Sequence, residues 1–246
     1  MNHIFDNWDT WQQLLTMLEN QFGNKSEFIL HDLTKDYNHT IVDIRNGYIT
    51  NRKIGDCGSN LGLEVLRGTD TNGDRYNYIV HTRDGKLLRS STMYLRNDDR
   101  KVIGSLCINT DITETVHFEE YLRQYNRYSV QPSPIPAGSQ VFPAPEAEKN
   151  NSEIPIGPEI FANDVSQILD FLIKDAGKLV GKPVEKMNRD DKIKFVRYLD
   201  QKGAFLITKA SERVYEYLGI SRYTLYNYLD LIHKEMNANA EEEKDN

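Results

Sequence analysis

Sulfur, scattered proline and long apolar runs are what this sequence has least of. Its two cysteines, Cys57 and Cys107, make neither a disulfide framework nor a zinc site. They point to a reducing compartment with both thiols free. No stretch approaches the ~18 uninterrupted apolar residues of a membrane span. Asp6 and Asp9 near the N-terminus argue against a secretory leader, so the expected location is the cytoplasm, with no membrane partner. Phosphate loop, nucleophile elbow and metal-ligand cluster are all missing. His31-Asp32 is no acid/base pair either, because neighbouring strand residues point to opposite faces. The chain reads as a non-enzyme with no identified cofactor and no metal. Histidines at 31, 39 and 81 come with no haem-attachment spacing.

Proline is scarce except in one place: seven of the eight prolines fall within residues 129–158. That run excludes helix and central strand and reads as a linker, partly polyproline-like and mobile. It divides the chain into residues 1–128 and 159–236, followed by an acidic tail, 237–246, expected to be disordered. Hydrophobic residues at 39% and charged residues at 27% are enough to build real cores on either side.

Before the linker, Trp8, Trp11, Leu15, Leu18 and Phe22 recur at helical spacing over residues 7–22. Strand signals follow at 27–33 and at 40–45, where Asn46-Gly47 marks a hairpin turn. Three more strands follow at 76–82, 86–95 and 102–109, the first two joined by Asp84-Gly85. Five strands on short antiparallel connections with one N-terminal helix define an α+β sheet domain. A further helix starts at Asp111-Ile112-Thr113 and carries Val116, Phe118, Tyr121, Leu122 and Tyr125 on its apolar side. The polar loop from Asn51 to Gly62 is too long for a tight turn, and such loops are often functional.

After the linker everything reads as helix, with Asn188 capping one helix and Gly203 ending it. Residues 218–229, LGISRYTLYNYL, read as the turn and second helix of a helix-turn-helix. Gly219 supplies the positive φ of the turn and Ser221 the N-cap. Leu225 and Leu229 share one face and anchor the helix. This turns Arg222, Tyr223, Thr224 and Asn227 outward as candidates for base edges, since Arg matches guanine and Asn matches adenine. Lys209, Ser211, Ser221 and Tyr226 are the phosphate candidates, although Tyr226 and Tyr228 also suit a packed core.

The net charge of −7 looks wrong for a DNA-binding protein, but its distribution does not. Lys186–Glu235 holds ten Lys/Arg against seven Asp/Glu. So small a local excess gives modest affinity per monomer, which a homodimer on two half-sites would remedy. The rival from another class is a sensory or adaptor protein that acts through protein contacts, with the C-terminal helices as its docking surface.

Several stretches, in this order, carry a family resemblance: EFILHDL (27–33), IRNGYIT (44–50), NLGL (60–63), RSST (89–92) and IGSLCIN (103–109) running into Asp111-Ile112-Thr113. Ser221-Arg222 with Tyr226-Asn227-Tyr228-Leu229 completes the set. Together they resemble YheO/DauR-type transcriptional regulators, which join a PAS-like domain to a C-terminal helix-turn-helix. The resemblance implies a PAS-like sensor or dimerisation domain over 1–128 and a helix-turn-helix domain over 159–236 that binds double-stranded operator DNA. It also implies a small-molecule effector, whose identity the sequence does not fix. Polar residues on apolar strands, or within the resembling stretches, are its candidate ligands: His31, Asp32, Asn46, Asn60, Ser90, Ser91, Thr92 and Asn109. One departure stands out: Tyr215 occupies the position, four before the turn glycine, where the family places a small residue. A Tyr there is expected to alter the helix crossing. Cys107 reads as a small buried hydrophobe, while the role of Cys57 stays open.

Overall fold

The computed structural model describes residues 2–70, 73–126 and 159–242, with side chains up to residue 236. The expected linker, 129–158, lies outside the described residues.

Helix α1 (Trp8–Phe22) forms where the sequence places apolar residues at helical spacing, and Gly23 at φ 69° ends it. Strand β1 (Ser26–Asp32) pairs antiparallel with β2 (Ile41–Arg45) on one side and β5 (Val102–Asp111) on the other. Strands β4 (Leu87–Arg96) and β3 (Arg75–His81) extend the sheet, giving the order β2-β1-β5-β4-β3. The five-stranded antiparallel α+β expectation is met.

Two local expectations are not. Asn46-Gly47 does not close a hairpin: Asn46 takes φ 56°, but the chain continues through turns to α2 (Asn60–Arg67) and β3 rather than into a paired strand. Helix α2 itself falls partly in the stretch read as loop. β1 also lacks a solvent face, because all seven of its residues are buried. Phe28 and Leu30 pack with Ile4, Leu15 and Leu106 under α1, and the opposite face is covered by the loop and α2.

Beyond Asp111 comes α3 (Thr113–Asn126), none of whose residues is buried. The second half of the chain is helical: α4 (Val165–Val180), α5 (Arg189–Gln201), α6 (Ala210–Leu218) and α7 (Arg222–Glu242). Asn188 caps α5 through a reciprocal pair, its Oδ1 accepting from Asp191 N and its own N–H donating to Asp191 Oδ2. α7 runs six residues into the segment expected as a disordered tail. Ala and Glu there are strong helix formers and extend it.

The two halves share one apolar core. Leu33, Tyr37, Cys57, Leu63, Val65 and Tyr94 of the sheet domain join the cluster built from α4, α5, α6 and α7. Gly203 takes φ 71° directly against Leu63, whose carbonyl oxygen would stand 2.5 Å from an added Cβ. Only a glycine lets the backbones approach so closely.

Candidate functional site

The candidate site residues gather at two places among the described residues: a cavity on the inner face of the sheet and the outer face of α6 and α7.

The cavity follows from register. Ile29, Cys107, Thr92 and Arg75 form one row across β1, β5, β4 and β3, and Glu27, Asn109, Ser90 and Tyr78 form the next. Residues two apart on a strand share a face, so both polar rows point under α2. The outer row closes on itself. Asn109 Nδ2 donates to Glu27 Oε2 at 2.7 Å, and Ser90 Oγ donates to Asn109 Oδ1 at 2.8 Å. Thr50 Oγ1 donates to Glu27 Oε1 at 2.6 Å, and the buried Arg52 guanidinium completes the network 3.4 Å from Glu27. Such a network satisfies its own groups and needs no ligand.

The other row remains open to a cavity of about 20 Å³, the space of a water or two. Its walls include His31, Tyr37, Ser59, Arg75, Tyr78, Thr92, Tyr94, Ser105 and Cys107, and Glu159 enters from beyond the linker. His31 Nδ1 lies 3.0 Å from Thr40 Oγ1. Burial, with Arg52 nearby, holds its pKa down to about 3, so the ring is neutral. Burial pushes the Glu159 carboxyl above its ordinary range, against hydrogen bonds from Ser59 and Tyr78. Both thiols are pushed up to about 11 by burial. Cys57 Sγ donates to the Ala162 carbonyl at 3.2 Å. Neither cysteine is therefore an activated thiolate.

Of the eight ligand candidates, His31 and Thr92 line this cavity. Asn60 stands at its rim and accepts from Ile160 N at 2.6 Å. Ser90 and Asn109 belong to the satisfied network beside it. The other three lie elsewhere. Asp32 accepts from Thr34 N and Oγ1. Asn46 Nδ2 donates to the carbonyls of Gly23 and Ser26. Ser91, on the other face of β4, accepts from Asn77 N. Arg75, Tyr78, Tyr94, Ser105 and Glu159 were not among the candidates. Only the strand register aligns the first four, and Glu159 sits at the edge of the proline-rich run.

A strap from Glu159 to Asn163 closes the rim. The Arg52 guanidinium lies over the Phe161 ring at 4.4 Å, and Asn163 Nδ2 donates to Asn51 O and Asp56 Oδ2. Asp164 then caps α4 by accepting from Ser166 N at 2.7 Å. On its outer side the strap borders a cleft of about 160 Å³ that His81 and Arg83 help to line.

At the other site, Gly219 takes φ 58° and the chain turns from α6 into α7. Ser221 Oγ accepts from Thr224 N at 3.0 Å, the expected N-cap. Leu225 and Leu229 are buried, and so is Tyr228. Arg222, Tyr223, Tyr226 and Asn227 are exposed, Tyr223 at 75%, while Thr224 is half-buried. The Arg222 guanidinium lies 5.5 Å from the centre of the Tyr226 ring. Hydrogen bonds from Ser211 and then Arg222 lower the Tyr226 hydroxyl's pKa. Lys209, Ser211, Arg222 and Tyr226 thus line one open cleft of about 460 Å³. Tyr215 lines it as well, half-buried and packed against the apolar cluster of the helical domain. The buried residues of α6 are Ala210, Val214 and Leu218.

Among the described residues, no group of three or more His, Cys, Asp or Glu is placed to hold a metal. No helix there is long and apolar enough to cross a membrane.

Sheet, cavity and capped turn define a PAS-like domain joined to a helix-turn-helix domain. The chain belongs to the family of YheO-like PAS domains, which it matches over residues 4–127, and it matches an HTH domain family over 168–230. It is 29% identical over 228 residues to the uncharacterized protein YheO of Escherichia coli, covering 92% of this chain and 84% of that one. An uncharacterized protein of Haemophilus influenzae is 27% identical over 220 residues, 87% of this chain and 85% of its own. A solved RNA-binding light-oxygen-voltage receptor is 16% identical at a TM-score of 0.29, covering 47% of this chain and 38% of its own, too slight a likeness to bear on function.

Proposed function

We propose that the protein is a cytoplasmic, ligand-responsive transcriptional regulator that binds operator DNA as a homodimer. The sheet domain, residues 1–128, senses a small molecule or mediates dimerisation. Residues 129–158 link it to the DNA-binding domain, residues 159–236. The observation that carries the reading is the start of α7. A capped, anchored helix holds Arg222, Tyr223 and Asn227 exposed to solvent at the end that would enter a major groove. Regulation is a matter of linkage: an effector changes DNA affinity by its differential affinity for two arrangements of the protein. The shared apolar core between the halves gives it a route that does not depend on the linker.

The test is recovery of genomic DNA fragments by the purified full chain at near-physiological salt, beside the Arg222→Ala/Asn227→Ala variant. Enrichment of a palindrome that the variant loses supports the reading. Arg222→Ala alone should weaken binding to that site by roughly 1–3 kcal/mol. Equal recovery by both proteins would turn the assignment to an adaptor acting through protein contacts.

A further inference from the structure

The cavity under α2 holds a carboxylate of the chain's own. Ser59 and Tyr78 hydrogen-bond to Glu159, yet its Oε2 is buried without a hydrogen-bond partner. In the same cavity, Arg75 uses Nη2 on Asp70 and leaves Nη1 buried and equally unpartnered. One oxygen of the Glu159 carboxyl and one nitrogen of the Arg75 guanidinium are thus each buried without a partner in one small space, and such atoms are costly to leave unsatisfied. The site has the donors of a carboxylate receptor, but its occupant does not use them all. Tied to the strap, Glu159 has its position set by Ile160, Phe161 and Asn163 rather than by the cavity.

We infer that this cavity is a binding site for a small carboxylate, and that Glu159 occupies it in cis until the free ligand displaces it. A free carboxylate can keep Ser59 and Tyr78 while turning its second oxygen to Arg75 Nη1, the pairing that the tethered one does not make. Size limits the ligand. The open space is about 20 Å³, to which is added what the Glu159 side chain, itself a propionate, gives up. Tyr37, Tyr94 and Cys107 wall it with largely apolar surface, which favours a short aliphatic acid over a polar or bulky one. The outer cleft gives the strap room to move out. Because the strap runs directly into the Asp164 cap of α4, displacement reaches the helical domain. The inference deepens the sensor reading and rests on it only for this regulatory consequence.

The experiment uses the full chain and Glu159→Ala, with sodium propionate as probe and propionamide and propan-1-ol as neutral controls at constant ionic strength. Binding is read by calorimetry and thermal melting. Glu159→Ala should bind propionate and not the controls. The unaltered chain should need at least about tenfold more, since its site is free for only a fraction of the time. Adding Arg75→Ala to Glu159→Ala should abolish the response. Under propionate, the unaltered chain should become more sensitive to limited proteolysis at residues 159–163. If Glu159→Ala does not fold, Glu159→Gln takes its place, because loss of the charge must again lower the propionate requirement. No carboxylate-specific response in a folded variant would overturn the inference. So would equal affinity with and without Glu159. DNA is not read in this experiment, so failure of operator binding leaves its outcome untouched, and its failure leaves the DNA reading standing.

Discussion

Arg67 at the end of α2 donates from Nη2 to Asp200 Oδ2 near the end of α5, at 2.7 Å, and His233 Nε2 of α7 lies 3.1 Å from the same oxygen. One carboxylate thus joins the helix roofing the cavity to the helix that presents Arg222 and Asn227. Around it, Lys202 pairs with Glu64 at 2.9 Å and Thr69 Oγ1 donates to the Gln201 carbonyl at 2.6 Å. The contact places a change under α2 within two side chains of α7.

Arg67→Ala should therefore do more than remove a surface pair. The Asp200 side chain is only 5% exposed and would lose its main partner. Removing Arg67 leaves the buried carboxylate with only the half-exposed His233 beside it, and the loss should be roughly 2–4 kcal/mol, since Arg67 retains some solvent. Urea unfolding followed by far-UV circular dichroism measures it. A separation of the single transition into two would show that this tie makes the halves cooperative. A loss below 0.5 kcal/mol, the range of ordinary surface changes, would show that the tie contributes little.

Gly203→Ala tests the same junction by shape instead of charge. The position needs a left-handed backbone, and a Cβ would stand 2.5 Å from the Leu63 carbonyl oxygen. Strain and displacement together should cost about 2–3 kcal/mol. Thermal melting of the full chain reads the effect, and an unchanged Tm would mean that the two backbones part without penalty.

What the sequence disclosed depended on how local each feature was. The α7 cap and its Leu225/Leu229 anchor lie within a few residues of one another, and each took its expected place. The five strands were legible from alternation and turn residues. The cavity was not, because it depends on register: Arg75, Thr92 and Cys107 become neighbours only when β3, β4 and β5 pair. Asn109 and Ser90 looked like ligand groups because a buried polar residue announces the need for a partner without naming it. The partner was Glu27, on another strand. α2 was obscured by Gly62, which reads as a loop residue. It is needed there because a Cβ would collide with the Tyr37 hydroxyl.

The dimer expectation can now be assigned more narrowly. Helices α1 and α3 each carry an apolar stripe of the kind a dimer contact needs, but α1 uses its stripe internally. Leu15 is fully buried, and Trp8, Trp11 and Leu18 pack on the same cluster. α3 spends none of its apolar face in this way. Phe118, Tyr121 and Tyr125 are exposed and stack along it, with ring centroids 6.5 and 6.0 Å apart. Tyr121→Glu with Tyr125→Glu should lower the mass measured by light scattering from dimer to monomer and leave the melting of the monomer fold unchanged. An unaltered dimer would remove α3 from the interface. Deleting residues 1–22 is the poorer test, since it would strip Ile4 and Leu15 from the core.

The buried histidine makes stability depend on pH in a defined direction. His31 has its pKa lowered to about 3 by burial, with Arg52 adding to the effect. Unfolded, it returns to about 6.5. Between these values the unfolded chain binds a proton that the folded chain refuses, so stability is complete above the unfolded value and is lost as pH falls below it. From pH 8 to pH 5 the loss from this one group should be about 2 kcal/mol, at no more than 1.4 kcal/mol per pH unit. His31→Gln keeps a polar group opposite Thr40 Oγ1, the present partner of His31 Nδ1, and does not titrate. Urea midpoints of both proteins at pH 8, 6.5 and 5 isolate the term as a difference of slopes, since the carboxylates contribute equally to each. The unaltered chain should fall more steeply by that amount. Parallel curves would mean that His31 takes up its proton as readily in the fold as in the unfolded chain, and that burial does not hold the ring neutral.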